Sequence, residues 1–212
     1  AGRVEGGKEV VYLGHEGKIY RWDGSGWTDK GSKVVSQGAP LILRGVEENA
    51  GKTLKVNVQI TMTANRRGEL SQKSEVLWGN VDPKTSGAFS MASVFSMEKV
   101  GGNGKTQTVK VNADVILTFK DGKLNGQSLP ILDRSKLADK TAVYRYTAAD
   151  GIKWDYAASS NKAEISRTRF DVVREIPVGD GKKATLTFRF NNGEITGVEG
   201  QKDFKNVGFQ GL

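Results

Sequence analysis

The sequence has no cysteine, a single histidine and only four prolines among its 212 residues. It also has no apolar run long enough to cross a bilayer as a helix, which takes roughly 18 residues or more. Each absence excludes a chemistry. Without cysteine there are no disulfides, no thiolate nucleophile and no cysteine-bound metal centre. The lone His15, set between Gly14 and Glu16, cannot build a histidine-rich metal site. A catalytic triad around it would need a nucleophile and an acid that the sequence does not single out, so it reads as an exposed turn residue. No Asp-x-Asp-x-Asp-Gly calcium loop occurs. Gly101-Gly102-Asn103-Gly104 lacks the Lys-Ser/Thr pair and the strand–loop–helix setting of a phosphate loop, and is expected to be a hairpin turn. No catalytic residue, metal ligand or cofactor is therefore expected, and the protein reads as a non-enzyme. Carboxylates are plentiful, but a hydrolytic pair is defined by its separation in space.

What is present is a β pattern. In Lys52 to Thr63, Leu54, Val56, Val58, Ile60 and Met62 alternate with Lys55, Asn57, Gln59, Thr61 and Thr63. A half-buried antiparallel strand has this period, whereas a helix would scatter these residues around its circumference. Val109, Val111, Ala113, Val115, Leu117 and Phe119 repeat the pattern, as do Leu186, Phe188 and Phe190. In Phe89 to Met97, Ala92 and Val94 make the second face partly apolar, which predicts a strand covered on both sides. Glycine is abundant, at 27 residues. Asp-Gly or Asn-Gly pairs at Asp23, Asp121, Asn125, Asp150, Asp180 and Asn192 supply the left-handed backbone of tight hairpins. About eleven or twelve strands are expected. The one competing helical segment is a short turn from Arg134 to Asp139 capped by Asp133. The predicted fold is a single all-β domain over 1–212, an antiparallel β-sandwich with at most one short helix.

The formal net charge is +8, which favours acidic partners such as an anionic surface, a glycan or nucleic acid. The charge is spread along the chain, with Arg66-Arg67 and Lys182-Lys183 the densest pairs. The aromatic residues are more pointed. Tyr20, Arg21, Trp22, Asp23 and Trp27 surround a tight turn, and Trp154, Asp155 and Tyr156 repeat the combination of rings and acid. Alternation puts Tyr20 with Trp22, and Trp154 with Tyr156, on common faces. Aromatic rings beside polar groups stack on the apolar face of a sugar while the polar groups reach its hydroxyls. These eight residues are the candidate ligand site. Beside basic residues such rings also stack on nucleic-acid bases, and they equally serve as plugs at the ends of a sandwich.

Two segments, Pro40 to Gly45 and Met97 to Val115, together with Gly181 to Phe190, resemble bacterial fimbrial subunits and adhesins of the chaperone–usher class. The resemblance covers about a third of the chain. It implies an immunoglobulin-like sandwich, secretion through the periplasm to the cell surface, strand exchange with neighbouring subunits, and recognition of host glycans. Those subunits end in an alternating strand with an aromatic residue near the terminus, where this chain has Phe209. A start at Ala1 rather than Met is what a processed exported protein shows. The expected function is thus a secreted or surface binding protein. The alternatives are an assembly or scaffold component of a virion, tail or periplasmic machine, and a nucleic-acid-binding β domain.

Overall fold

A computed structural model of the chain describes residues 1–200. Of these, 62% lie in strands. Helical structure among the described residues is confined to single 3-10 turns at Glu47–Asn49, Trp78–Asn80 and Arg134–Lys136. The fold is all-β and antiparallel, with a sandwich-like build. The Asp133 side chain accepts from the Ser135 backbone N–H and caps the third turn, as a side-chain oxygen at an N-cap does. The chain divides into two compact units. One comprises residues 1–91 with 116–127, and the other residues 92–115 with those from 128 on.

The first unit opens with a four-stranded meander of β1 (Gly2–Glu5), β2 (Lys8–His15), β3 (Lys18–Trp22) and β4 (Trp27–Asp29). Two-residue turns at Gly6-Gly7 and Glu16-Gly17, all four residues at positive φ, set its register. Then follow β5 (Lys33–Gln37), β6 (Leu41–Gly45), β7 (Thr53–Val56), β8 (Val58–Ala64) and β9 (Leu70–Val76). β5, β8 and β9 form a second sheet. Val10, Tyr12 and Ile19 of the meander pack with Met62, Val34, Ala64 and Leu70 of that sheet, so one face of the meander is core. Backbone closes on backbone at Gly14, where an added Cβ would lie 2.0 Å from the Gly68 carbonyl oxygen.

β10 (Gly87–Val100) and β11 (Thr106–Lys120) each contribute residues to both units. In the first unit β10 pairs with β6, and β11 with β12 (Lys123–Gln127). There the Phe119 ring lies 5.9 Å from Phe89 and 6.1 Å from Trp78, centroid to centroid.

The second unit contains β13 (Ile131–Leu132), β14 (Val143–Thr147), β15 (Lys153–Ala157) and β16 (Ala163–Ile165). β10 pairs with β14, β14 with β15 and β15 with β16, while β11 pairs with β13. Its core holds Met97, Val111, Ala113, Leu132, Ala142, Tyr144 and Tyr156. A separate three-stranded sheet follows, made of β17 (Phe170–Gly179), β18 (Lys182–Asn191) and β19 (Glu194–Gly200). In it the paired Phe170 and Phe190 rings stack at 4.9 Å.

Three sequence expectations change. Nineteen strands stand among the described residues where eleven or twelve were expected for the chain, because several are too short to show a period and one periodic run is broken. The run from Lys52 to Thr63 is that one: it splits at Asn57 into β7, which pairs with β6, and β8, which joins β5 and β9. The alternation continues through the break because a strand that bends at a sandwich corner keeps its inward and outward faces while changing sheets. Asn125-Gly126 is not a turn. It lies in β12, where Asn125 is the extra residue of a bulge opposite Thr118 and Phe119. β10 is not covered on both sides, since Ala92 and Val94 are exposed. The turns at Asp121-Gly122, Asp180-Gly181 and Asn192-Gly193 form as expected, each with both residues at positive φ. The Phe209 match lies outside the described residues.

Candidate functional site

The two aromatic clusters fall in different units and have different environments. In the first, Trp22 and Trp27 are cross-strand partners, with ring centroids 5.4 Å apart and planes tilted by 45°. The turn after Trp22 does return Trp27 to it. Tyr20 shares the Trp22 face and pairs across to Leu13 and Asp29. This is the meander face opposite the core. Val4, Val11, Leu13 and Trp27 on it are 69%, 43%, 51% and 54% exposed. Lys18 and Asp29 sit at one end as an exposed ion pair of 3.4 Å. Sequence reasoning missed Val4, Val11, Leu13, Lys18 and Asp29. The signal that would have found them is the pair of Gly-containing turns, which places Val11 opposite Trp22 and Leu13 opposite Tyr20.

Arg21 points to the other face. Its Nε and Nη2 donate to Glu5 Oε2 at 3.1 and 2.9 Å, and the Tyr12 hydroxyl donates to Glu5 Oε1 at 2.5 Å. The Tyr12 hydrogen bond and the Arg21 guanidinium hold the Glu5 carboxyl below its usual range, against the opposing effect of burial. Burial and the bond to Glu5 push the Tyr12 phenol up. Arg21 is thus a support beneath the aromatic face rather than a group on it. Asp23 Oδ1 accepts from the Ser25 hydroxyl and the Ser25 N–H. These two bonds bring its pKa down to about 2. The carboxylate is engaged in shaping the turn that presents Trp27.

The second cluster is not a stacking platform. Tyr156 is 1% exposed and its hydroxyl donates to the Pro130 carbonyl. Burial, with Tyr146 adding to it, pushes its phenol up to about 12. Trp154 packs against the same core, opposite Tyr146, and its Nε1–H is buried with no partner among the described residues. Asp155 lies on the other face, where its two oxygens accept from Arg145 Nε at 2.8 Å and Nη2 at 3.2 Å. The shared face expected for Trp154 and Tyr156 is real, but it faces inward. Alternation tells which residues share a face; it does not say which face is wet. His15 ends β2 exposed, beside the Glu16-Gly17 turn.

The site is thus a partly exposed aromatic-apolar sheet face with an ion pair at one end, on an antiparallel all-β scaffold. Such an arrangement can bind by stacking and apolar contact. Comparison with known proteins finds no matching family model, no matching curated protein and no matching solved structure.

Proposed function

We propose that the protein is a non-enzymatic binding protein, secreted or displayed at the cell surface in the manner of an adhesin, that recognises a glycan through the outer face of the β1–β4 meander. The observation that supports this reading is the set of half-buried Tyr20 and Trp22 and exposed Trp27 on one face of the β1–β4 sheet. A sugar ring presents C–H groups on one side and hydroxyls at its rim. The tilted tryptophan pair offers π faces to the first, and Lys18 and Asp29 offer charged hydrogen-bond partners to the second. Glycan-array screening followed by titration calorimetry tests it: binding to at least one glycan class, lost in Trp27→Ala with the fold intact, is the expected result. Absence of binding to every glycan sinks it.

A second reading is favoured by Val4, Val11 and Leu13, which extend the aromatic set into a broader apolar patch. Contiguous exposed apolar surface of this kind marks protein interfaces, as in an assembly or scaffold component. Light scattering after size-exclusion chromatography separates the two, because an assembly component self-associates or co-elutes with a partner protein. The net charge of +8 supports an anionic surface as the setting. Nucleic-acid binding is the weaker alternative, tested by the salt dependence of DNA retention.

A further inference from the structure

A different feature lies in the second unit. β11 has β10 on one edge. On its other edge it pairs with β12 from Leu117 to Lys120 and with β13 at Ala113 and Asp114. Among the described residues no strand pairs with that edge from Thr106 to Asn112. After β13 the chain leaves the sheet into the turn at Arg134–Lys136, so the ladder stops there. A cavity of about 280 Å³ lies along this stretch. It is lined by Gln107, Val109, Lys110, Val111 and Asn112 of β11 and by Lys136, Leu137 and Ala138 across from it, with Lys99 and Tyr144. The residues lining it combine apolar side chains and three lysines, and include no carboxylate. Lys99 is neutralised by Asp139 at 3.1 Å. Lys110 donates to the Ser96 hydroxyl at 2.8 Å and Lys136 is 3.9 Å from Asp133 and well exposed.

We propose that this edge is a docking site for an extended acidic peptide segment of a partner protein, added as a further antiparallel or parallel strand beside β11. Main-chain hydrogen bonds to an unpaired edge supply affinity, and alternate side chains of the added strand supply specificity. Here one side of the added strand meets the apolar lining at Val109, Val111 and Leu137. The acidic side chains meet Lys110 and Lys136. The same lysines keep two copies of the chain from pairing edge to edge, since like charges would be brought together.

The test is fluorescence anisotropy of the intact protein with a labelled peptide as long as the free edge, alternating valine with aspartate. Saturable binding is expected. Each main-chain hydrogen bond removed by N-methylating the peptide on one edge weakens binding about fivefold, so three weaken it on the order of 100-fold. Lys110→Glu with Lys136→Glu, both at exposed positions, weakens it about tenfold. A peptide with lysine in place of aspartate does not bind. Three results overturn the proposal: no binding of the acidic peptide, which leaves the lysines as guards of a bare edge; binding indifferent to N-methylation, which reduces it to charge attraction; and binding indifferent to the charge reversal.

Discussion

Removing the Asp155 carboxylate distinguishes a structural role from a ligand-binding one at the second aromatic cluster. Arg145 is 8% exposed and Asp155 21% exposed at the side chain, and they meet through two hydrogen bonds of 2.8 and 3.2 Å. In Asp155→Ala the guanidinium stays buried and loses its counter-charge. Breaking a fully buried pair costs about 3–5 kcal/mol; with Asp155 one-fifth open to solvent, about 2–4 kcal/mol is expected. For a chain of this size that lowers the melting temperature by roughly 5–15 °C. The double variant Arg145→Met, Asp155→Leu removes both charges and keeps the volume, and should recover more than half of the loss. Thermal and urea unfolding by circular dichroism read both. If Asp155→Ala leaves stability within about 0.5 kcal/mol of the parent, the pair does not hold this sheet together and the reasoning fails. If glycan affinity falls while stability does not, Asp155 belongs to a ligand site after all.

Four further outcomes follow from the geometry. Tyr156→Phe strands the Pro130 carbonyl in the core and should cost about 1–3 kcal/mol by urea unfolding; no change would mean that water takes over the bond. Gly14→Ala should cost about 1–3 kcal/mol or more, because its Cβ would meet the Gly68 carbonyl at 2.0 Å, and crystallography of the variant would show the strands displaced. The carboxyls of Glu5 and Asp23 are held below their usual range. Their contribution is therefore full above their unfolded values near pH 4 and lost as the pH falls through the folded values. A urea midpoint that is flat from about pH 7 to 5 and declines below about 4, with the decline reduced in Glu5→Gln, is the expected profile; an unchanged slope in Glu5→Gln contradicts it. Trp27→Ala should change stability by less than about 1 kcal/mol, because the ring is half exposed; a large loss would make Trp27 a structural plug.

The strand class was legible because alternation is a local property. Every second residue from Val109 to Phe119 faces inward along β11, and Asp-Gly and Asn-Gly mark three hairpin tips. Sheet membership was not legible: Val56 and Val58 belong to one unbroken pattern but to different sheets, since pairing partners are set by distant segments. The site was half legible. Tyr20, Trp22 and Trp27 converge as the turn between them implies. Trp154 and Tyr156 look the same in sequence, yet Tyr156 is sealed by packing against Tyr144 and Leu132 in one core. What separates the clusters is what covers each face, and only the tertiary structure supplies that. The Lys110 edge left no sequence signal, because a strand whose ladder stops part-way looks like any other strand.

The most direct measurement of the binding role is calorimetric titration of the intact protein with the best glycan from an array, run in parallel on Trp27→Ala, Tyr20→Ala and Asp155→Asn. Affinity should fall about tenfold or more in the first two and stay unchanged in Asp155→Asn, with all three folded. Equal affinity in Trp27→Ala and Tyr20→Ala, or no glycan bound by the parent, contradicts recognition through the β1–β4 face.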